Sequence, residues 1–427
     1  MLLPNLSTPS TDSSQGDLLR LEETIAQWRQ LIASRVSLTF GDGLNDDVTD
    51  SQQVSLVGEV DYWEKLLEDL VFLHEQLNSE SSMKLAEILR INSSKYTSYF
   101  DLLNKDVDAA IARASCLKNF LKPLKSWFEK LENLRDLSID ETLTVCVAMP
   151  RLLRLFWENI CISLAETQSN SCSSMKSNPP LILLLKLIGK VQYALILGFS
   201  DILNCEDGGV FGLETAEVAV SISNCQKFSS TFIRHFEEEK QRLHETSRDN
   251  HVIDPWGFAV TDVLAALYES NHRLETLKQF FEIITQFSRL EKIEVGAIIQ
   301  HGTESSKRLK EIHEEFVVLQ GTWQRSGLHP LAVIFNSFLE AKYQPLGLVF
   351  LKTDEYIEQF SILMETISKW TREIAKIIDQ SFNSSTSIIN GLKIFDSFRH
   401  FASRPEIKSV ILPGMVTSLS MFEKKLI

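Results

Sequence analysis

Apolar residues recur at steps of three and four along most of the chain, which is the period of helices with one buried face. Between residues 60 and 77 these positions are Trp63, Leu66, Leu67, Leu70, Leu73 and Leu77. Similar patterns predict helices over residues 18–34, 142–164, 215–246, 260–290 and 305–323. The helix-breaking residues are scarce, with 17 glycines and 11 prolines in 427 residues. The pattern predicts an all-α fold, an elongated array of stacked helical bundles.

The helix predicted over residues 354–382 has the most regular pattern. Its apolar positions step by 4, 3, 4, 3, 4 and 3, as in an a/d heptad seam. Such a seam packs either inside a bundle of the same chain or against another chain in a coiled coil. We therefore expect a coiled-coil-like helix near the C-terminus. The residues expected to carry packing or assembly are Tyr356, Phe360, Leu363, Ile367, Trp370, Ile374 and Ile377.

Polar runs between the helices predict three regions. Residues 1–53 are expected to be a disordered N-terminus with one short helix and a loop. Residues 54–250 and 251–427 are expected to form a first and a second helical bundle, because the polar run at 247–255 separates them. Pro123 is expected to kink or break its helix, and Pro150 falls near the middle of another.

One stretch, residues 181–199, is long and apolar enough to cross a membrane. It contains Lys186, Lys190 and Gln192, and charged side chains in the middle of a bilayer are costly. The sequence therefore favours a buried helix whose lysine stems reach the surface over a membrane span. No secretory signal is visible in the polar N-terminus.

Charge and motifs narrow the function. A net charge of −14 argues against nucleic-acid binding and fits a chain that works with protein partners. Six cysteines without a CxxC pair indicate reduced thiols in a cytosolic protein. The sequence has no phosphate-binding GxxxxGK[ST] loop, no HExxH and no GxSxG. We therefore predict no catalytic, cofactor-binding or metal-binding residue, and no enzymatic activity.

Three successive segments of the chain each carry a recognisable series of residues at fixed spacings. The first places ten residues at characteristic spacing: Glu59, Trp63, Tyr96, Phe100, Val107, Ala110, Ala114, Phe120, Leu121 and Leu124. The second begins at Trp256 and Phe258 and includes Arg273 and Leu274, FSRLEKIEVG at 287–296 and HEEF at 313–316. The third is the heptad helix followed by GLKIFDSF and RPEI.

In this order the segments resemble the N-terminal tail region of dynein heavy chains, over roughly residues 55–415, with the first segment closer to the axonemal type. Departures include Ala297 at the position of a second family glycine, SNPP at 177–180, and Asn383 with Ser384. The ATPase ring and the microtubule-binding domain of a heavy chain are absent from this sequence.

The resemblance implies a non-catalytic tail or stem segment that assembles into a microtubule-based motor complex. It implies dynein intermediate chains, light and light intermediate chains, and other heavy chains as partners. Microtubules would be contacted only indirectly, through the absent motor. The implied location is the cytoplasm and cytoskeleton, in the axoneme of a cilium or flagellum. The alternative is an unrelated helical scaffold or tethering protein, which would share the heptads but would not recruit intermediate chains.

Overall fold

The structure is a computed structural model and describes most of the chain. The described residues are 15–39, 55–168, 179–203, 215–249, 258–299, 302–325, 354–385 and 387–426. These residues form α-helices, short 3₁₀ helices and turns, and none of them lies in a strand. The all-α prediction is therefore confirmed over the described part of the chain.

The α-helices differ widely in length, from one turn to almost ten. In chain order they are α1 (Gln15–Leu38), α2 (Leu56–Leu77), α3 (Glu80–Ile91), α4 (Tyr96–Leu121), α5 (Lys125–Glu132), α6 (Ile139–Gln168), α7 (Pro179–Leu203), α8 (Thr215–Asp249), α9 (Val260–Val263), α10 (Ala265–Phe287), α11 (Thr303–Arg325), α12 (Asp354–Asn383), α13 (Ile388–Phe398) and α14 (Pro405–Leu426).

The chain divides into two compact units. Among the described residues, the first unit takes those within 15–202 and 227–269, and the second takes those within 203–226, 270–325 and 354–426. The domain boundaries expected after residues 53 and 250 remain predictions.

The first unit is built around a bundle of α1, α2, α3 and α4. Helix α1 is longer than the predicted helix at 18–34, and it buries one apolar stripe against its neighbours. A tight turn at Asn78 and Ser79 separates α2 from α3, and the Ser79 hydroxyl accepts a hydrogen bond from the Ser82 N–H. The shared core consists of Leu21, Ile25, Trp28, Ile32, Leu73, Leu77, Leu85, Ala86, Leu89, Phe100, Leu103 and Val107.

The two prolines singled out in the sequence, Pro123 and Pro150, behave differently. Helix α4 ends at Leu121, a 3₁₀ turn spans Lys122–Leu124, and α5 begins at Lys125, so the break predicted at Pro123 is confirmed. Proline lacks the N–H that the helix would need there. Pro150 lies inside α6, which runs on from Ile139 to Gln168.

Helix α7 is the long apolar helix. One described window, Leu183–Leu203, could cross a membrane by length and composition, but 72% of it is buried inside the protein. Lys190 is 4% exposed and pairs with the carboxylate of Glu59 on α2. The prediction that its stem reaches the surface is wrong for Lys190, because Glu59 satisfies the ammonium group inside the first unit. This burial supports a core helix.

In the second unit, α12 packs along α14 and also contacts α11 and α13. The contact between α12 and α14 is close: a Cβ added at Gly414 would lie 2.5 Å from Cδ2 of Phe382. Helix α13 begins after Ser387, whose hydroxyl accepts a hydrogen bond from the Asn390 N–H. These contacts surround α12 and bring the heptad seam into a core.

Candidate functional site

The predicted seam lies on α12, and its described side chains are buried. Leu363, Ile367, Trp370, Ile374 and Ile377 are all 7% exposed or less. The backbones of Tyr356 and Phe360 also belong to α12, but their side chains lie outside the described part of the chain. The five described residues therefore belong to the core of the second unit.

An aromatic cluster packs around Trp370, in the middle of this seam. The ring of Phe287 lies 5.8 Å from Trp370, 5.4 Å from Phe316 and 5.5 Å from Phe401, measured between centroids. Phe287 begins the FSRLEKIEVG segment and Phe316 ends the HEEF segment. Aromatic pairs at these separations contribute attraction beyond their buried area. The cluster thus joins α10, α11, α12 and the 3₁₀ turn Arg399–Phe401.

Arg404, the first residue of RPEI, lies against the same cluster. Its guanidinium carbon is 5.5 Å from the centre of the Phe287 ring, and its Nε donates to Gln286 Oε1 at 2.6 Å. The Gln286 amide in turn donates to Ser403 Oγ at 3.1 Å. Burial lowers the pKa of Arg404, against the raising effect of Glu406 and Glu282. The arginine therefore fixes the start of α14 onto the core.

A second arginine, Arg308 on α11, connects two helices through ion pairs. Its NH2 lies 2.8 Å from Glu373 Oε2 on α12, and its NH1 lies 3.1 Å from Glu311 and 2.9 Å from Glu315. Glu315 Oε2 also accepts a hydrogen bond of 2.8 Å from the indole N–H of Trp370. We call Arg308, Glu311, Glu315, Trp370 and Glu373 the Arg308 network.

The network shifts the pKa values of Arg308 and Glu315. Hydrogen bonds to Glu373 and Glu315 raise the pKa of Arg308, so the guanidinium stays charged. Burial pushes the pKa of Glu315 upward, but the hydrogen bonds from Arg308 and Trp370 outweigh burial and hold it below its ordinary value. Both groups are therefore ionised near neutral pH, and the network links α11 to α12.

Beside this network lies an open groove between α11 and α12, with a volume of about 640 Å³. We call it the α11–α12 groove, and its lining residues are Glu311, Glu314, Glu315, Val318, Leu319, Thr366 and Trp370. Within the described ranges, no three His, Cys, Asp or Glu side chains are grouped so as to hold a metal ion.

The FSRLEKIEVG segment forms close-packed 3₁₀ turns that lead into α11. Leu290, Ile293 and Val295 are buried, and the N–H of Gly296 donates to Ser306 Oγ at 2.9 Å. A Cβ added at Gly302 would lie 2.7 Å from the carbonyl oxygen of Val295, so only glycine fits there without a shift. The role of this segment is therefore structural: it packs the connection between α10 and α11.

In the first segment, Glu59 and Trp63 meet. The Trp63 indole N–H donates to Glu59 Oε1 at 2.8 Å, and the other carboxylate oxygen pairs with Lys190. Phe258 offers its carbonyl oxygen to Lys240, whereas Trp256 lies outside the described residues. Sequence reasoning missed the partners Lys190, Arg308 and Glu373, because no local pattern connects positions so far apart in the chain.

The sequence was compared with models of known protein families, and one of these models matches most of the chain. The sequence profile of "Dynein heavy chain, N-terminal region 1" matches residues 18–166 and 174–427. The chain belongs to this dynein heavy chain family. The resemblance of the three segments is therefore confirmed, and the matched region of dynein heavy chains is their non-motor tail.

Individual dynein relatives are distant but are aligned over most of the chain. The ciliary dynein beta chain of Tripneustes gratilla is 22% identical over 94% of this chain. The flagellar outer arm beta chain of Chlamydomonas reinhardtii is 24% identical over 82%, and human dynein axonemal heavy chain 9 is 23% identical over 86%. The alignments span only 7–8% of the length of these relatives.

Proposed function

We propose that the chain is a non-catalytic assembly segment of a dynein heavy chain tail. In this role it holds dynein intermediate chains, light and light intermediate chains, and other heavy chains in a microtubule-based motor complex. The observation that supports this proposal is the family match, which covers residues 18–166 and 174–427. Contact with microtubules would be indirect, and the net charge of −14 disfavours a nucleic-acid partner.

The proposed location is the cytoskeleton, in the axoneme of a cilium or flagellum. The names of the relatives support this location, since they are ciliary, flagellar outer arm and axonemal dynein chains.

The experiment is immunoprecipitation of the endogenous protein from ciliated or flagellated cells, followed by mass spectrometry. We expect dynein intermediate and light chains to be recovered with it. The control is the same procedure on cells in which the gene is disrupted. Recovery of a reproducible partner set without any dynein subunit would contradict the proposal and favour a general helical scaffold.

For the α12 seam we propose a packing role that supports assembly. The burial of Leu363 and Ile367 supports packing, since a seam facing a partner would be exposed in the isolated chain. The double substitution Leu363→Asp and Ile367→Asp places two carboxylates in the core of the second unit. We expect it to lower the free energy of unfolding by more than about 4 kcal/mol and to abolish partner binding.

The matched control is Ser361→Asp on the same helix, because Ser361 is exposed and does not line the groove between α11 and α12. Circular dichroism during urea unfolding measures stability, and co-precipitation measures partner binding. The packing role is wrong if the double variant keeps both the stability and the binding of the unmodified chain.

A further inference from the structure

The α11–α12 groove has the geometry of a site between two antiparallel helices. Arg308 on α11 meets Glu373 on α12, and further along α11 Glu315 meets Trp370. As the residue number rises on α11 it therefore falls on α12, and the groove continues in this direction to Val318 and Thr366. A channel between adjacent antiparallel helices is a common place for a third helix to pack.

The floor of the groove is apolar and partly open to solvent. Val318 is 66% exposed, and it lies beside Leu319 and the ring of Trp370. On α12, Ile362 is 58% exposed and lies one turn before Thr366 on the same face. Apolar groups therefore lie on both helices, where the apolar face of an amphipathic helix can cover them.

The edge of the groove that α11 provides is acidic. Glu311, Glu314 and Glu315 line it, and none of the described lining residues is basic. Arg308 pairs with Glu311 and Glu315, and Lys307 lies 3.8 Å from Glu311, whereas Glu314 makes no ion pair with any described residue. The groove therefore combines an apolar floor with a carboxylate that a cation on a ligand could approach.

We propose that the α11–α12 groove binds an amphipathic helix of a partner protein that carries lysine or arginine along one edge. The apolar face of that helix covers Val318, Leu319 and Trp370, and a cation on its edge faces Glu314. This partner deepens the proposed assembly function and rests on it. Phosphate-bearing ligands do not suit the site, because its carboxylates repel them.

The direct test uses the purified chain and a fluorescent synthetic helical peptide of about 18 residues, which is about 27 Å long. The peptide has leucine at i, i+4 and i+7 and lysine on one flank, and a second peptide replaces the lysines with glutamates. Fluorescence anisotropy gives both dissociation constants. We expect the lysine peptide to bind at least about tenfold more tightly and to weaken as salt rises.

Two substitutions test the site itself, each with a matched control. Val318→Asp removes the apolar floor, and its control is Val317→Asp at the neighbouring, 49% exposed position outside the lining. Glu314→Lys reverses the charge of the edge, and its control is Glu365→Lys, exposed on α12 and outside the lining. We expect each site variant to weaken the lysine peptide by about tenfold, and each control to change it by less than about twofold.

The outcomes separate the possible occupants. Equal binding of the two peptides, or equal effects of site and control variants, overturns the proposal. Absence of binding by either peptide also overturns it. A monomer–dimer equilibrium in analytical ultracentrifugation that Val318→Asp shifts and Val317→Asp does not would assign the groove to a second copy instead.

Fold and function are controlled separately. Val318 and Glu314 are exposed, so we expect their variants to keep the thermal unfolding midpoint of the unmodified chain. If Val318→Asp does not fold, the peptide affinity of Glu314→Lys tests the groove instead. Dynein subunits recovered equally by the unmodified chain and by Glu314→Lys would reject the groove and leave the proposed function intact. Failure of the unmodified chain to recover them would reject the proposed function.

Discussion

Lys190 is a charged residue in the middle of an apolar helix, and its partner is 131 positions away in the sequence. Its side chain is 4% exposed and that of Glu59 is 12% exposed, so both charges are largely removed from water. The Trp63 indole N–H satisfies the other oxygen of the Glu59 carboxylate. A pair of this kind adds little net stability compared with apolar residues, but breaking one half of it is costly.

Lys190→Met should therefore lower the free energy of unfolding by about 3–5 kcal/mol, because it leaves the Glu59 charge buried without a cation. Adding Glu59→Gln should restore the stability to within about 1–2 kcal/mol of the unmodified chain. Urea unfolding followed by circular dichroism measures both values.

The control is Lys84→Met, which breaks a surface pair with Glu80 in which the lysine side chain is 62% exposed. We expect it to change the free energy of unfolding by less than about 0.5 kcal/mol. If Lys190→Met is as mild as this control, the buried pair does not contribute as described.

At the scale of single residues, the sequence identified which apolar positions face inward. Heptad spacing was enough to predict the α12 side chains that the structure buries, because burial on a helix follows its period. It could not predict that Glu59 meets Lys190 or that Arg308 meets Glu373. Those contacts depend on how distant helices pack, and a charged residue in a sequence does not indicate its partner.

At the scale of elements, the start of α2 is fixed by a residue of α5. The Glu132 carboxylate accepts hydrogen bonds from Ser55 Oγ at 2.9 Å and from the N–H groups of Leu56 and Val57. These N–H groups have no partner within their own helix, and a negative charge is favourable at a helix N-terminus.

Glu132→Ala should lower the free energy of unfolding by about 1–2 kcal/mol, as removal of a helix cap does. Hydrogen exchange should also quicken in the first turn of α2. Glu129→Ala is the control, because Glu129 is exposed on the same helix. Unchanged exchange in α2 would show that the cap is not needed.

Close contact between α12 and α14 depends on Gly414. Glycine to alanine in a helix normally adds up to about 1 kcal/mol of stability. Here a new Cβ would lie 2.5 Å from Cδ2 and Cγ of Phe382, so we expect Gly414→Ala to reduce stability by about 1–3 kcal/mol. Val416→Ala is the control, since Val416 is 65% exposed. A rise in the melting temperature of Gly414→Ala would contradict the close packing.

The predicted elements agree with the structure where the local signal is strong. The predicted helix over residues 354–382 is observed as Asp354–Asn383, and the break predicted at Pro123 is observed as the 3₁₀ turn Lys122–Leu124. Agreement is poorer where the interruption has no local signal. The continuous helix predicted over 260–290 is interrupted at Leu264, a buried residue that is neither proline nor glycine.

At the scale of the whole molecule, several carboxylates are held ionised by the fold. Hydrogen bonds lower the pKa of Glu64 through Lys118, of Glu80 through Lys84 and of Glu141 through Ser138, and the Arg308 network lowers that of Glu315 despite burial. The pKa of Asp106 is shifted in the opposite direction, because burial raises it.

A carboxylate whose pKa is lower in the folded chain stabilises the fold above its unfolded pKa, near 4.5 for Glu. That stability is lost as the pH falls through the folded pKa. We therefore expect the melting temperature to fall below about pH 4.5, as measured by differential scanning calorimetry.

Replacing Lys118 with Met should make the fall in melting temperature at acid pH shallower. The reason is that it removes the largest cause of the lowered Glu64 pKa, the hydrogen bond from Lys118. Lys65→Met, an exposed lysine on α2, is the control. A melting temperature that stays constant down to pH 3 would contradict the role of these carboxylates.

The buried ion pair between Lys190 on α7 and Glu59 on α2 also has a consequence for the synthesis of the chain. When α7 leaves the ribosome it is apolar enough to be taken for a membrane segment. Lys190 opposes insertion, since a lysine at the centre of a bilayer helix costs about 2.5–3.5 kcal/mol. Glu59 has been synthesised 131 residues earlier and offers the ammonium group a place inside the protein. Expressed pieces that contain α7 should therefore also contain α2.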